Sequence, residues 1–161
     1  MLSMLKRYDV IFCDIDDTIV SGTITRLMHT TWKMFKSIFI SETLQMLQAY
    51  FKLYKPNVKL LYSISNSQVP VVFLTARKES VWTKILLRHI CHDFNITSWT
   101  VVELGSYNPT QDKYDYIQRY LDIMGGNCML IDDNCDLSWK CLRDMRIGAI
   151  NPDYVTESVL E

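Results

Sequence analysis

Three carboxylates, Asp14, Asp16 and Asp17, fall within four positions of the stretch FCDIDDTIV, directly after a short apolar run. Thr75 and Arg77 follow a second apolar run (VPVVFLTAR), and Asp132 and Asp133 follow a third (CMLIDD), with Lys113 between the two. Acids crowded at the end of a buried strand are costly unless something offsets their charge. A hard divalent cation with oxygen ligands does so, and Mg2+ suits a sparse carboxylate site that keeps waters for its substrate.

A carboxylate is also a nucleophile toward phosphorus, forming an acyl phosphate. Attack requires that the phosphate's own charge be neutralised. Mg2+, Lys113, the Thr75 hydroxyl and backbone N–H groups of the first loop would do that. A second carboxyl two residues on can protonate the leaving alkoxide and then activate water. The set predicts phosphoryl transfer through an aspartyl-phosphate, with Asp14 attacking and Asp16 moving the proton. Asp17 is left to solvent or to the turn, and Thr18 to support of the loop.

These residues meet only if the intervening chain brings their segments together. Strands are expected over 8–13, 69–74, 98–104, 128–131 and 146–150. Pro70 stands near the start of its strand, where proline is tolerated. Helices are expected over 79–92, 111–124 and 137–145, with Gly125-Gly126-Asn127 ending the second. Between the first two strands, Gly22 marks a turn or flap and residues 24–39 show helical spacing. Ser41 is a candidate N-cap for a helix with Leu44, Leu47, Phe51 and Tyr54 on one face. Lys55-Pro56-Asn57 would break it, and a short helix over 58–65 follows.

Alternating strands and helices, with strands that are continuous apolar runs, predict an α/β fold: a Rossmann-like three-layer sandwich around a mostly parallel sheet. In such sheets ligands bind beyond the carboxyl ends of the strands, where every residue named above would lie. With no repeat and no long linker, residues 1–161 are expected to form a single domain. Residues 24–66 exceed what one crossover needs, and form either a small helical cap or an extended crossover.

The net charge of −1 gives no global sign of a nucleic-acid or membrane surface, yet it is unevenly spread. Residues 19–66 carry six Lys and Arg against Glu42 alone, which is +5 and leaves −6 for the remainder. Five cysteines without a CxxC pair predict reduced thiols and a reducing, cytoplasmic setting. No apolar run is long enough for a signal peptide's core or a membrane span, so no membrane association is expected.

The stretch Asp14-Ile15-Asp16-Asp17-Thr18, then Thr75, Lys113 and Asp132-Asp133, resembles in order the four motifs of the haloacid dehalogenase superfamily of phosphohydrolases, in a small form without a large cap. The resemblance covers about residues 8–150. It implies a Mg2+-dependent phosphomonoester hydrolase with Asp14 as nucleophile and metal ligand. Asp16 would be general acid and base, and would also bind Mg2+ through its backbone carbonyl. Thr75 and Lys113 would hold the phosphoryl group. The last motif admits two registers. With Asp132 as metal ligand, Asp136 stands where a supporting acid is common; with Asp133 as ligand, the register favoured here, Asp132 would buttress Lys113 or a metal-bound water. A receiver domain of two-component signalling has similar parts, but its acid pair precedes its lysine along the chain.

Arg77 after Thr75 resembles phosphatases of this superfamily acting on nucleotides or on nucleic-acid 3′-phosphate ends, which makes Arg77 a candidate substrate contact. A cap bearing Lys33, Lys52 and Lys59, with Trp32, Tyr50, Tyr54 and Tyr62 as stacking surfaces, would favour a phosphorylated small molecule or nucleotide. The alternative class is a protein that kept the fold without turnover and uses its helical segment to bind a partner.

Overall fold

The computed structural model describes residues 2–22 and 38–152. Strands β1 (Val10–Cys13), β4 (Val71–Thr75), β5 (Trp99–Glu103), β6 (Cys128–Ile131) and β7 (Ile147–Ile150) form one parallel sheet in the order β5-β4-β1-β6-β7. The three central strands are buried throughout, because a parallel sheet covered on both faces leaves no solvent side. Side chains alternate between two cores. Ile11, Cys13, Val71, Phe73, Met129 and Ile131 face one way, and Val10, Phe12, Val72, Leu74, Cys128 and Leu130 the other.

The first core is covered by α1 (Leu2–Leu5), α3 (Val58–Ser67) and α4 (Val81–Asp93), which supply Leu5, Leu60, Leu61, Ile64, Leu86, Leu87 and Ile90. α2 (Ile38–Tyr50) adds Ala49 to it. The second is covered by α5 (Pro109–Met124) and α6 (Cys135–Cys141), through Ile117, Leu121, Leu137 and Cys141. Two helical layers around a parallel sheet make the expected Rossmann-like sandwich. Four of the five cysteines are buried and all are unpaired. No helix among the described residues is long and apolar enough to cross a membrane.

Several elements differ from expectation, each for a local reason. Ser41 lies within α2 and does not cap it. Lys55–Pro56 is a short strand, β3, which pairs antiparallel with β2 (Val20–Ser21) to make a two-stranded flap next to the acidic loop. α6 starts two residues before the expected 137 because Asn134 caps it, its Oδ1 accepting from the Leu137 N–H at 3.1 Å. It ends at Cys141, and Asp144 and Arg146 turn the chain into β7. α4 starts after Ser80, whose hydroxyl accepts from the Trp82 N–H. The expected helix over 24–39 falls mostly outside the described residues, as do Arg26, Trp32, Lys33 and Lys36.

Candidate active site

The sheet order sets the location. From β1 the chain moves outward to β4 and β5, then returns across β1 to β6 and β7. The carboxyl ends of β1 and β6 therefore flank the point where the winding reverses, the usual ligand crevice of an open α/β sheet. The Asp14 N–H donates to the Ile131 carbonyl at 2.9 Å, extending the β1–β6 ladder one residue and bringing Asp14 beside Asp132.

Lys113 arrives from α5. With Ile117 and Leu121 it forms the buried i, i+4, i+8 stripe of that helix, so the ammonium sits at the upper end of an apolar face. Its Nζ lies 2.8 Å from Asp14 Oδ1 and 2.7 Å from Asp132 Oδ2, and all three side chains are almost wholly buried. Burial opposes the ammonium, but Asp14 and Asp132 outweigh it and hold Lys113 above the usual lysine range. Both Asp132 oxygens are engaged, since its Oδ1 also accepts from the Asn134 N–H at 2.9 Å. Asp133 is exposed, and its backbone N–H donates to Thr18 Oγ1 at 3.3 Å.

One lysine thus serves two buried carboxylates, with a third close by. Burial pushes the Asp14 carboxyl up to about 7; Lys113 opposes this, and Asp132 and Asp16 add to it. One oxygen each of Asp14, Asp132 and Asp133 lie within 4.8 Å of one another. Excess negative charge converging in oxygen donors is what a hard divalent cation fits.

Asp16 turns to a different cation. Its Oδ2 accepts from Arg77 Nε at 2.8 Å and its Oδ1 from Arg77 Nη2 at 2.5 Å, the bidentate fork of a strong arginine–carboxylate pair. Nη2 also donates to Gln48 Oε1 on α2 at 2.8 Å. Burial opposes the guanidinium and Asp16 outweighs it, raising the Arg77 pKa. Arg77, anticipated as a substrate contact, is instead buried with its fork on Asp16, and its Nη1 has no hydrogen-bond partner among the described residues. Thr75 ends β4, where its hydroxyl oxygen accepts from the Arg77 N–H at 3.2 Å and keeps its own proton to donate.

Asp14, Asp132, Asp133, Lys113 and Thr75 therefore share one edge, with Asp16 and Arg77 beside them. Asp136 is exposed in the first turn of α6 and lies outside the carboxylate triad. Asp17 adopts a positive φ of 56°, a conformation aspartate tolerates, and its N–H closes the turn on the Val20 carbonyl at 2.8 Å. Of the anticipated cap contacts, Tyr50 and Tyr62 are exposed, Tyr54 packs partly against the core, and Lys52 pairs with Asp93 at 3.5 Å.

Three supporting residues escaped the sequence reading. Asn57 caps α3, and also bonds the Thr18 carbonyl through Nδ2 and the Ile19 carbonyl through its N–H, tying that helix to the acidic loop. Asn134 caps α6 and bonds Thr110 near Lys113. Both carry the sequence signal of an asparagine just before a helix. Gln48 is wholly buried and gave no signal beyond being an amide inside an otherwise apolar pattern.

A cavity of about 300 Å³ opens at the other end of the sheet, between Ser65, Gln68, Asn95 and Ser98. No titratable side chain lines it. Compared with protein-family models, curated proteins and solved structures, the chain matches none.

Proposed function

We propose that the chain is a Mg2+-dependent phosphomonoester hydrolase of haloacid dehalogenase type, acting through an aspartyl-phosphate on Asp14. The observation that carries this reading is the buried Asp14–Lys113–Asp132 cluster with Asp133 at its open side, at the winding reversal of the sheet. Asp14, Asp133 and the backbone carbonyl of Asp16 would hold the metal, while Asp132 secures Lys113. Bound Mg2+ supplies neutralisation of the phosphoryl charge.

An Asp14 oxygen attacks phosphorus, and the bond from phosphorus to the ester oxygen breaks. Lys113, which has a third N–H beyond those facing Asp14 and Asp132, and the Thr75 hydroxyl hold the phosphoryl oxygens. Asp16 gives a proton to the leaving alkoxide, then takes one from the water that cleaves the acyl phosphate and regenerates Asp14. The Arg77 fork holds the Asp16 carboxyl in one orientation. Phenolate leaves readily without a proton, so Asp16→Asn should slow alkyl phosphates far more than aryl phosphates.

The test is turnover of an aryl phosphate by the full chain with Mg2+ and with a chelator. Activity should require Mg2+, and Asp14→Asn should lower kcat by roughly a thousandfold or more, as loss of a nucleophile does. Absent turnover, or turnover that survives Asp14→Asn, defeats the reading.

A further inference from the structure

The loop after β5 lies along the same carboxyl edge and is tied down residue by residue. Leu104 N–H donates to the Thr75 carbonyl at 3.0 Å, Gly105 N–H to Arg77 at 2.8 Å, and Ser106 N–H to Ala76 at 3.0 Å. The Ser106 hydroxyl bonds Asp112 and accepts from the Asn108 N–H at 2.9 Å. Gly105 has φ +59°, which lets the loop close on Lys78; a side chain there would be strained. The loop then runs directly into α5, which carries Lys113.

Tyr107 stands at the tip of this fixed loop with 72 % of its surface exposed. The Lys78 ammonium lies 5.9 Å from its ring centroid. A lone exposed aromatic is ordinary. This one follows three residues whose N–H groups bond the Thr75, Ala76 and Arg77 carbonyls, and the Asn108 N–H after it bonds the Ser106 hydroxyl. β5 is two strands from β1, about 10 Å at normal strand spacing. A ring there is within reach of the far end of a nucleotide whose phosphate lies at Asp14.

We infer that Tyr107, with Lys78 beside it, is the platform on which the base of a nucleoside phosphate stacks during turnover. This rests on the phosphatase reading above. A tyrosine on a braced loop loses little freedom when a base covers it. The Lys78 charge draws the anionic ligand to that side of the edge. Free nucleotides and nucleic-acid ends present the same group, a base next to a phosphomonoester.

The experiment compares kcat/KM for a nucleoside 3′-monophosphate, a 3′-phosphorylated oligonucleotide and glycerol 2-phosphate, in wild type, Tyr107→Ala and Tyr107→Phe. Tyr107→Ala should cut the selectivity for one or both base-bearing substrates over glycerol phosphate by roughly tenfold, the scale of one base–aromatic stack. Tyr107→Phe should keep that selectivity. The arm that falls says whether a free nucleotide or a nucleic-acid end is the natural ligand. Unchanged selectivity in both arms overturns the inference. Calorimetric binding of the nucleoside 3′-monophosphate and of the 3′-phosphorylated oligonucleotide to Asp14→Asn separates this from the phosphatase reading. Binding that weakens on adding Tyr107→Ala supports the platform even if wild type turns nothing over. If neither the nucleoside 3′-monophosphate nor the 3′-phosphorylated oligonucleotide binds Asp14→Asn in a way that depends on Tyr107, the platform is removed whatever the fate of the hydrolase.

Discussion

Asp14 and Asp16 are two positions apart, and each meets a buried cation, yet their surroundings differ in kind. Asp14 shares one lysine point charge with Asp132, and Asp133 adds a third carboxylate close by. Asp16 has both oxygens engaged by one arginine fork, whose Nη2 is further bonded by Gln48. The first cluster carries unbalanced negative charge and the second is locally balanced. A surplus of carboxylate suits binding a cation and presenting an anionic nucleophile. A balanced fork suits holding a proton-transfer group in one orientation.

Removing Arg77 breaks this comparison most severely. Arg77→Ala removes the bidentate fork from Asp16 in a largely buried site, and should destabilise the fold by about 3–5 kcal/mol in denaturant unfolding. Arg77→Lys should recover little, because an ammonium cannot occupy both fork positions. Full recovery by lysine would mean that charge alone, not the fork, matters at Asp16.

The pH dependence should come next. Folded Asp14 titrates near 7 against an ordinary 3.8, so between these values the folded chain binds more protons than the unfolded chain. The stability that Asp14 contributes is full below about pH 4 and is lost as pH rises toward 7. In chelator, wild type should therefore lose stability relative to Asp14→Asn between pH 5 and 8, by thermal melting at both values. Mg2+ should remove most of that difference. A wild-type protein that gains stability over Asp14→Asn as pH rises would contradict the surplus charge.

The smallest effect belongs to Gln48. Gln48→Ala removes one acceptor from the buried guanidinium and should cost about 1–3 kcal/mol. Its effect should not add to that of Arg77→Ala, because the two side chains form one network. Full additivity in a double-mutant cycle would detach α2 from the Asp16 fork.

The two clusters were not equally legible in the sequence. Asp14, Lys113 and the Asp132-Asp133 pair were, because each sits at the end of an apolar strand or helix stripe whose pattern fixes where it emerges. The central strands were legible for the same reason, as unbroken runs such as VIFC and CMLI. The Arg77–Gln48 side was not. The apolar spacing puts Leu44, Leu47, Phe51 and Tyr54 on one face of α2, and Leu44 and Leu47 there are only partly buried. The helix instead buries Gln45, Gln48 and Ala49, and Phe51 beyond its end is exposed. A periodic pattern counts apolar residues and cannot register an amide buried for a hydrogen bond to a guanidinium far along the chain. Lys55–Pro56 was legible as a break, but its pairing with the flap depends on a partner strand of only two residues.

The central claim is that Asp14 is the group phosphorylated. Borohydride reduces an acyl phosphate to an alcohol, so quenching wild-type turnover of an aryl phosphate with it should convert Asp14 to homoserine. Mass spectrometry of the peptide containing residues 12–20 would detect the change. The account predicts conversion at Asp14 only when substrate and Mg2+ are both present, and none at Asp16. Steady turnover with Asp14 unmodified, or with the label on another residue, would contradict it.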